Sequence, residues 1–147
     1  MKAVIQKCQQ GSVTVNNEII NQIKQGLVIL VGIATDDTLN DLEYLVRKIL
    51  NLRVFEDEND AMNKSIIDTQ GEILSISQFT LQANTKEGNR PSYVNAMSGE
   101  EAKNLYDLFN QRLNEQVKTY PGLFGAHMQV NILNDGPTTI IIDSKNK

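Results

Sequence analysis

The stretch Gly26-Leu27-Val28-Ile29-Leu30-Val31-Gly32-Ile33 limits what this chain can become more than any other feature. It is apolar between its glycines, strand-sized, rich in β-branched side chains and too short for a membrane span, so both of its faces need cover. Two segments with helical spacing can supply that cover. Leu39, Leu42, Leu45, Val46, Ile49 and Leu50 share one helical face, with Thr38 or a nearby Asp placed to cap its start. Ala102, Leu105, Tyr106, Phe109 and Leu113 share another, which opens on a Ser98-Gly99-Glu100-Glu101 capping box.

Most of the remaining chain reads as strand. Val4-Ile5 and Val13-Thr14-Val15 suggest two strands joined near residues 9–12, and Asn16-Asn17-Glu18 is a turn leading to residues 19–23. Residues 52–55, the Ile66-Ile67 pair and residues 72–81 also have strand character. Residues 128–134 and 138–143 flank an Asp-Gly turn signal and read as a hairpin. No repeat, low-complexity run or linker interrupts the sequence. The expectation is one domain over residues 1–147, an α/β fold with mixed β-sheet layers and two main helices.

Composition excludes several classes of function. A 147-residue chain with 40% hydrophobic and 22% charged residues has the balance of a soluble globular protein. No apolar run approaches the roughly 20 residues of a membrane helix, and the first residues lack a signal-peptide core, so no membrane association is expected. A lone cysteine, Cys8, rules out an intramolecular disulfide framework and fits a reducing cytosol, so a cytoplasmic location is expected. The net charge of −4 argues against a general polyanion binder and against DNA as a main partner. Arg47, Lys48, Arg53, Lys86 and Arg90 read, on composition alone, as solvated charges. The acidic run Glu56-Asp57-Glu58-Asn59-Asp60 lacks the spaced ligands and central glycine of an EF-hand and reads as a solvated loop.

Familiar catalytic machinery is equally scarce. The one histidine, His127, begins a strand-like segment and reads as structural or simply exposed, which leaves no evident base for a Ser–His or Cys–His pair. One His and one Cys do not make a zinc site, and no Gly-x-x-x-x-Gly-Lys phosphate loop is present. No metal or cofactor is expected. Two polar interruptions at strand ends remain: Ser77-Gln78-Phe79-Thr80-Leu81 and Asn134-Asp135-Gly136-Pro137-Thr138-Thr139. By themselves they are an ordinary hydroxyl-rich strand end and an ordinary turn, and X–Pro bonds are cis only about 5–6% of the time.

Together these two segments resemble the D-aminoacyl-tRNA deacylases. The first matches that family's Ser-Gln-x-x-Leu motif and the second its Asn-x-Gly-Pro-x-Thr motif, and the likeness extends over almost the whole chain. Residues 1–7, 12–15, 26–33, 51–55, 62–63, 88–92 and 122–128 agree as well; Asn21-Gln22-Ile23-Lys24 departs where relatives often carry glycines. The resemblance implies hydrolysis of the ester joining a D-amino acid, or glycine, to the terminal ribose of tRNA, as a proofreading step that spares L-aminoacyl-tRNA. It implies a homodimer in which Gly136 and Pro137, joined by a cis bond, enter the partner's site as a chiral selector. Ser77, Gln78, Phe79 and Thr80 would form the catalytic segment, and Lys86 and Arg90 would contact tRNA. Two other readings stay open: an ester hydrolase with Thr80 as nucleophile, and a non-catalytic nucleic-acid-binding module.

Overall fold

In the computed structural model, which describes every residue from Met1 to Lys147, the chain begins as a long hairpin. Strand β1 (Lys2–Val15) turns at Asn16 and Asn17, whose φ angles of 50° and 64° are those of a tight two-residue hairpin turn. The return arm pairs antiparallel with β1, first as β2 (Glu18–Ile23) and then as β3 (Gly26–Gly32). Helix α1 (Leu39–Asn51) follows, then the small hairpin β4 (Phe55–Glu56) and β5 (Met62–Lys64), and the short helix α2 (Ile66–Thr69). Strand β6 (Glu72–Ser77) adds parallel to β3 and runs into a 3₁₀ turn, Phe79–Gln82. Helix α3 (Gly99–Asn114), β7 (Thr119–Pro121) and β8 (Gln129–Asp143) complete the chain. β7 pairs parallel with β6, and β8 lies antiparallel along the other edge of β1.

β3 is covered on both faces, but both helices lie on one of them and strands cover the other. Leu27, Ile29 and Val31 are buried against Leu42, Leu45 and Ile49 of α1 and Tyr106, Phe109 and Leu113 of α3. Val28 faces the other way, into a second cluster with Cys8, Val13, Ile23, Leu74 and Ile76. One extra residue on β1, opposite the Asn134–Leu133 step of β8, brings Cys8, Gly11 and Val13 to this same face. The cap on α1 is also as expected: the Thr38 amide and hydroxyl each donate to Asp41 Oδ2 at 2.9 Å.

The structure corrects several expectations. The first two strands are one, because β8 and the β2–β3 arm hold β1 through its bulge. Ile66-Ile67 is helical rather than extended; Ser65 accepts from the Asp68 amide while Asp68 accepts from Ser65, and this reciprocal cap outweighs two β-branched side chains. The strand over residues 72–81 stops at Ser77, where the chain coils into the 3₁₀ turn. Ser98 caps α3 without the expected side-chain hydrogen bond. The C-terminal hairpin is absent. Residues on both sides of Asp135-Gly136 pair with β1 in one direction, so the Asp-Gly step is an excursion from a single strand.

Two outcomes test this packing. A Cβ at Gly32 would lie 2.7 Å from the Gln78 carbonyl oxygen and 2.8 Å from the Leu81 Cβ, so only glycine lets the 3₁₀ turn sit on β3. Gly32→Ala should lower the urea midpoint by the equivalent of about 1–3 kcal/mol. Burial would raise the Asp41 carboxyl, but hydrogen bonds from Thr38, Ser144 and Lys145 prevail and hold it well below its ordinary 3.8. Its contribution is therefore complete above about pH 4 and lost as pH falls through the lowered value. Asp41→Asn should lower thermal stability at neutral pH, and the gap from the parent should narrow during acid titration.

Candidate functional site

Three segments distant in sequence enclose a cavity of about 820 Å³. Its floor is the end of β6 and the start of the 3₁₀ turn: Ile76, Ser77, Gln78 and Phe79. One wall comes from the residues before and at the start of α3, including Tyr93, Val94, Met97 and Ala102. The other comes from the β7–β8 connection, including Phe124, His127 and Met128. Thirteen of the nineteen lining residues are hydrophobic, so the space suits a flat or apolar group approached by a few polar atoms.

The floor is held by bonds to the main chain of β3. The Gln78 amide donates to the Val31 carbonyl at 2.7 Å, and Gln82 Nε2 donates to the Gly32 carbonyl at 2.8 Å. These bonds fasten both ends of the turn to β3. The Thr80 hydroxyl accepts a hydrogen bond from Gln78 Nε2. An amide N–H cannot take a proton, so this neighbour orients Thr80 without activating it. Phe79 is 56% exposed and meets Tyr93 edge-on, with ring centroids 5.0 Å apart, which leaves an aromatic pair at the cavity mouth. Cys8 is sealed in the second core, and burial pushes its thiol up to about 11, so it is no nucleophile.

Gly136 and Pro137 lie elsewhere. They are exposed, lie outside the cavity lining and form the outermost part of the β8 excursion, where their peptide bond is cis and Gly136 has φ +114°. Asn134 ties the base of the excursion: its Nδ2 donates to the Lys7 carbonyl at 2.9 Å and the Thr138 carbonyl at 3.0 Å, and Gln6 Nε2 donates to its Oδ1 at 3.1 Å. Thr139 Oγ1 donates to the Pro137 carbonyl at 3.2 Å. Underneath, the almost fully buried Lys7 ammonium lies 2.6 Å from Glu56 and 3.6 Å from Asp135. Its bond holds the Glu56 carboxyl below the usual carboxylate range. Within one chain, then, the two motifs form separate sites.

Lys86 and Arg90 sit on an exposed loop whose ends are joined by Asn84–Ser92 backbone bonds of 2.8 and 2.9 Å. Neither has an ion-pair partner. The sequence reading overlooked Lys7, Gln6 and the two cavity walls. Residues 122–128 had been marked by resemblance, but nothing local showed that they face Ser77. His127 is exposed, as expected, and also lines the cavity. The acidic run is the turn of the β4–β5 hairpin, with Asp57 accepting from the Asn59 and Ala61 amides and from Asn63 Nδ2.

A family model described as D-Tyr-tRNA(Tyr) deacylase matches residues 4–143. Among solved structures, the c-Myc DNA Unwinding Element Binding Protein is similar at 48% identity and a TM-score of 0.93, over 97% of this chain and 98% of that one. A probable eukaryotic D-amino acid tRNA deacylase shares the fold with a TM-score of 0.82 at 17% identity, over 96% and 97% of the two chains.

The tie at Asn134 can be tested alone. Asn134→Ala leaves the Lys7 and Thr138 carbonyls without that donor, which should cost about 1–3 kcal/mol in urea titration. Amide hydrogen exchange should rise across residues 135–138 while the helices remain protected.

Proposed function

Because the chain belongs to the D-Tyr-tRNA(Tyr) deacylase family, hydrolases that cleave the ester of D-aminoacyl-tRNA, we propose that it frees tRNA from D-amino acids and from mischarged glycine and spares the L forms. The observation that carries this reading is that Ser77, Gln78 and Phe79, at the start of the turn that holds Thr80, form the floor of an apolar cavity large enough for an aminoacylated nucleoside. Gln78, Phe79 and Thr80 position the terminal ribose and ester there. Water adds to the ester carbonyl, the carbon–oxygen bond breaks, and the ribose oxygen leaves with a proton. The ribose 2′-hydroxyl assists. The first amides of a helical turn lack acceptors within it, and those near Phe79 and Thr80 face the developing oxyanion.

Chiral selection is assigned to Gly136 and Pro137 of a second copy in a homodimer. Three features support this reading: the step is exposed, it is braced from below by Asn134 and Lys7, and it does not reach its own chain's cavity. Its carbonyl groups meet the substrate's α-amino group, and its bulk occupies the space an L side chain needs. Glycine has no side chain to reject. A filter built of main chain does not change with side-chain rotamers. Lys86 and Arg90 contact the tRNA backbone.

The Gln78–Thr80 bond argues against the rival in which Thr80 is the nucleophile, since it supplies no base. The decisive comparison is purified protein with matched D-tyrosyl-, L-tyrosyl- and glycyl-tRNA, followed by loss of the ester. The D and glycyl forms should be cleaved and the L form spared; equal cleavage of D and L removes the selector, and no cleavage at all returns the protein to a binding role. Thr80→Ala should stay active, with a loss smaller than the roughly 10²–10³ typical of removing an oxyanion donor. An inactive variant that folds and binds would make Thr80 essential.

A further inference from the structure

Three of the fourteen Lys and Arg side chains of this acidic chain gather on one aromatic ring. On the surface of α1, the Tyr44 ring is surrounded by three cations: Lys147 Nζ lies 4.8 Å from its centroid, Lys48 Nζ 5.7 Å and Arg47 Cζ 5.8 Å. All three cations are exposed and none forms an ion pair. Nearby carboxylates are already engaged. Asp41, one turn earlier, is bound by Lys145 at 3.1 Å, and Glu43 is bound by Arg112 at 2.9 Å. Asp36 and Asp37 also face Lys145, at 3.7 and 3.6 Å. Three like charges on one ring, none within ion-pair distance of a carboxylate in a chain of net charge −4, make a local positive potential that attracts anions.

We propose that Arg47, Lys48 and Lys147, gathered on Tyr44, form a phosphate-binding patch that holds the body of tRNA away from the reacting ester. This rests on the deacylase reading and extends it to a second contact region, separate from the cavity and from the Lys86–Arg90 loop. Charge complementarity selects the occupant. The enzyme's own substrate is a polyanion whose aminoacylated end occupies only the cavity, and a ring that gathers cations suits a phosphate pair better than a single acidic side chain.

The test uses the full-length triple variant Arg47→Gln, Lys48→Gln, Lys147→Gln, after confirming that it melts with the parent. With D-tyrosyl-tRNA, KM should rise roughly tenfold at low salt with kcat unchanged, and the log–log salt slope should shrink by about two to three, near one per lost phosphate contact. With D-tyrosyl-adenosine, which lacks the tRNA body, parent and variant should be equal. An unchanged KM and slope on tRNA, or an equal loss on both substrates, overturns the proposal. Binding of uncharged tRNA is measured in parallel. If the parent cleaves no D-aminoacyl-tRNA, the deacylase reading fails; weaker tRNA binding by the variant still supports the patch, and equal binding refutes it. Tighter binding of duplex DNA than of tRNA by the parent, lost in the variant, would assign the patch to DNA and overturn the proposal.

Discussion

Strand β1 is hydrogen-bonded along both edges for most of its length, and the other parts take their positions from it. One edge holds the β2–β3 arm, which carries β6 and through it the floor of the cavity. The other edge holds β8, which carries the Gly136–Pro137 step. Thus both motifs are displayed from one strand, on opposite sides of it. A slip of one residue in either ladder would turn core side chains outward, so the alternation of Ala3 and Ile5 with Val4 and Gln6 fixes the register of both. The largest departure is where β8 leaves the ladder: Asp135 to Thr138 stand opposite Lys7 alone, between the Gln6–Thr139 and Cys8–Asn134 pairs.

Lys7 shows why that excursion keeps its shape. Its side chain is almost wholly enclosed, yet its two acidic partners are each at least one-third exposed. Water therefore weakens the ion pairs, and their value is chiefly geometric. The ammonium fixes Asp135 on one side and the β4–β5 hairpin on the other, while Asn134 closes the loop above it. A main-chain element that protrudes needs such bracing, because an exposed glycine has no side chain to hold it in place.

The parts of the fold that were legible in sequence are those whose signal is local and repeated. Continuous apolar character identified β3, and helical periodicity identified α1 and α3. The failures share a cause. An Asp-Gly step looks the same in a hairpin and in an excursion from one strand, and only pairing with β1, more than a hundred residues earlier, decides between them. β6 ends at Ser77 because Gly32 admits a turn against β3, which cannot be read from the alternation of residues 72–81. Lys7 carries no mark of burial in its own neighbourhood. The cavity is assembled from segments near residues 76–79, 93–102 and 124–130, so its existence is a property of topology. The two motifs were visible only through resemblance, since neither contains a residue whose chemistry announces a reaction.

That absence constrains the chemistry which can occur here. The cavity floor carries no carboxylate, cysteine or base, and the one histidine of the lining, His127, stands on a wall, so the proposed reading assigns rate and stereochemical choice to amides, hydroxyls and carbonyls held in place by neighbouring backbone. Such groups act by position, so their precision depends on the stiffness of β3 and β1 behind them. Affinity for a large polyanion has the opposite requirement. It comes from exposed, flexible cations and weakens with salt, and the cluster proposed around Tyr44 is of that kind and lies outside the cavity lining. In the proposed reading, separating the two tasks lets the cavity remain apolar while the helix surface holds the substrate.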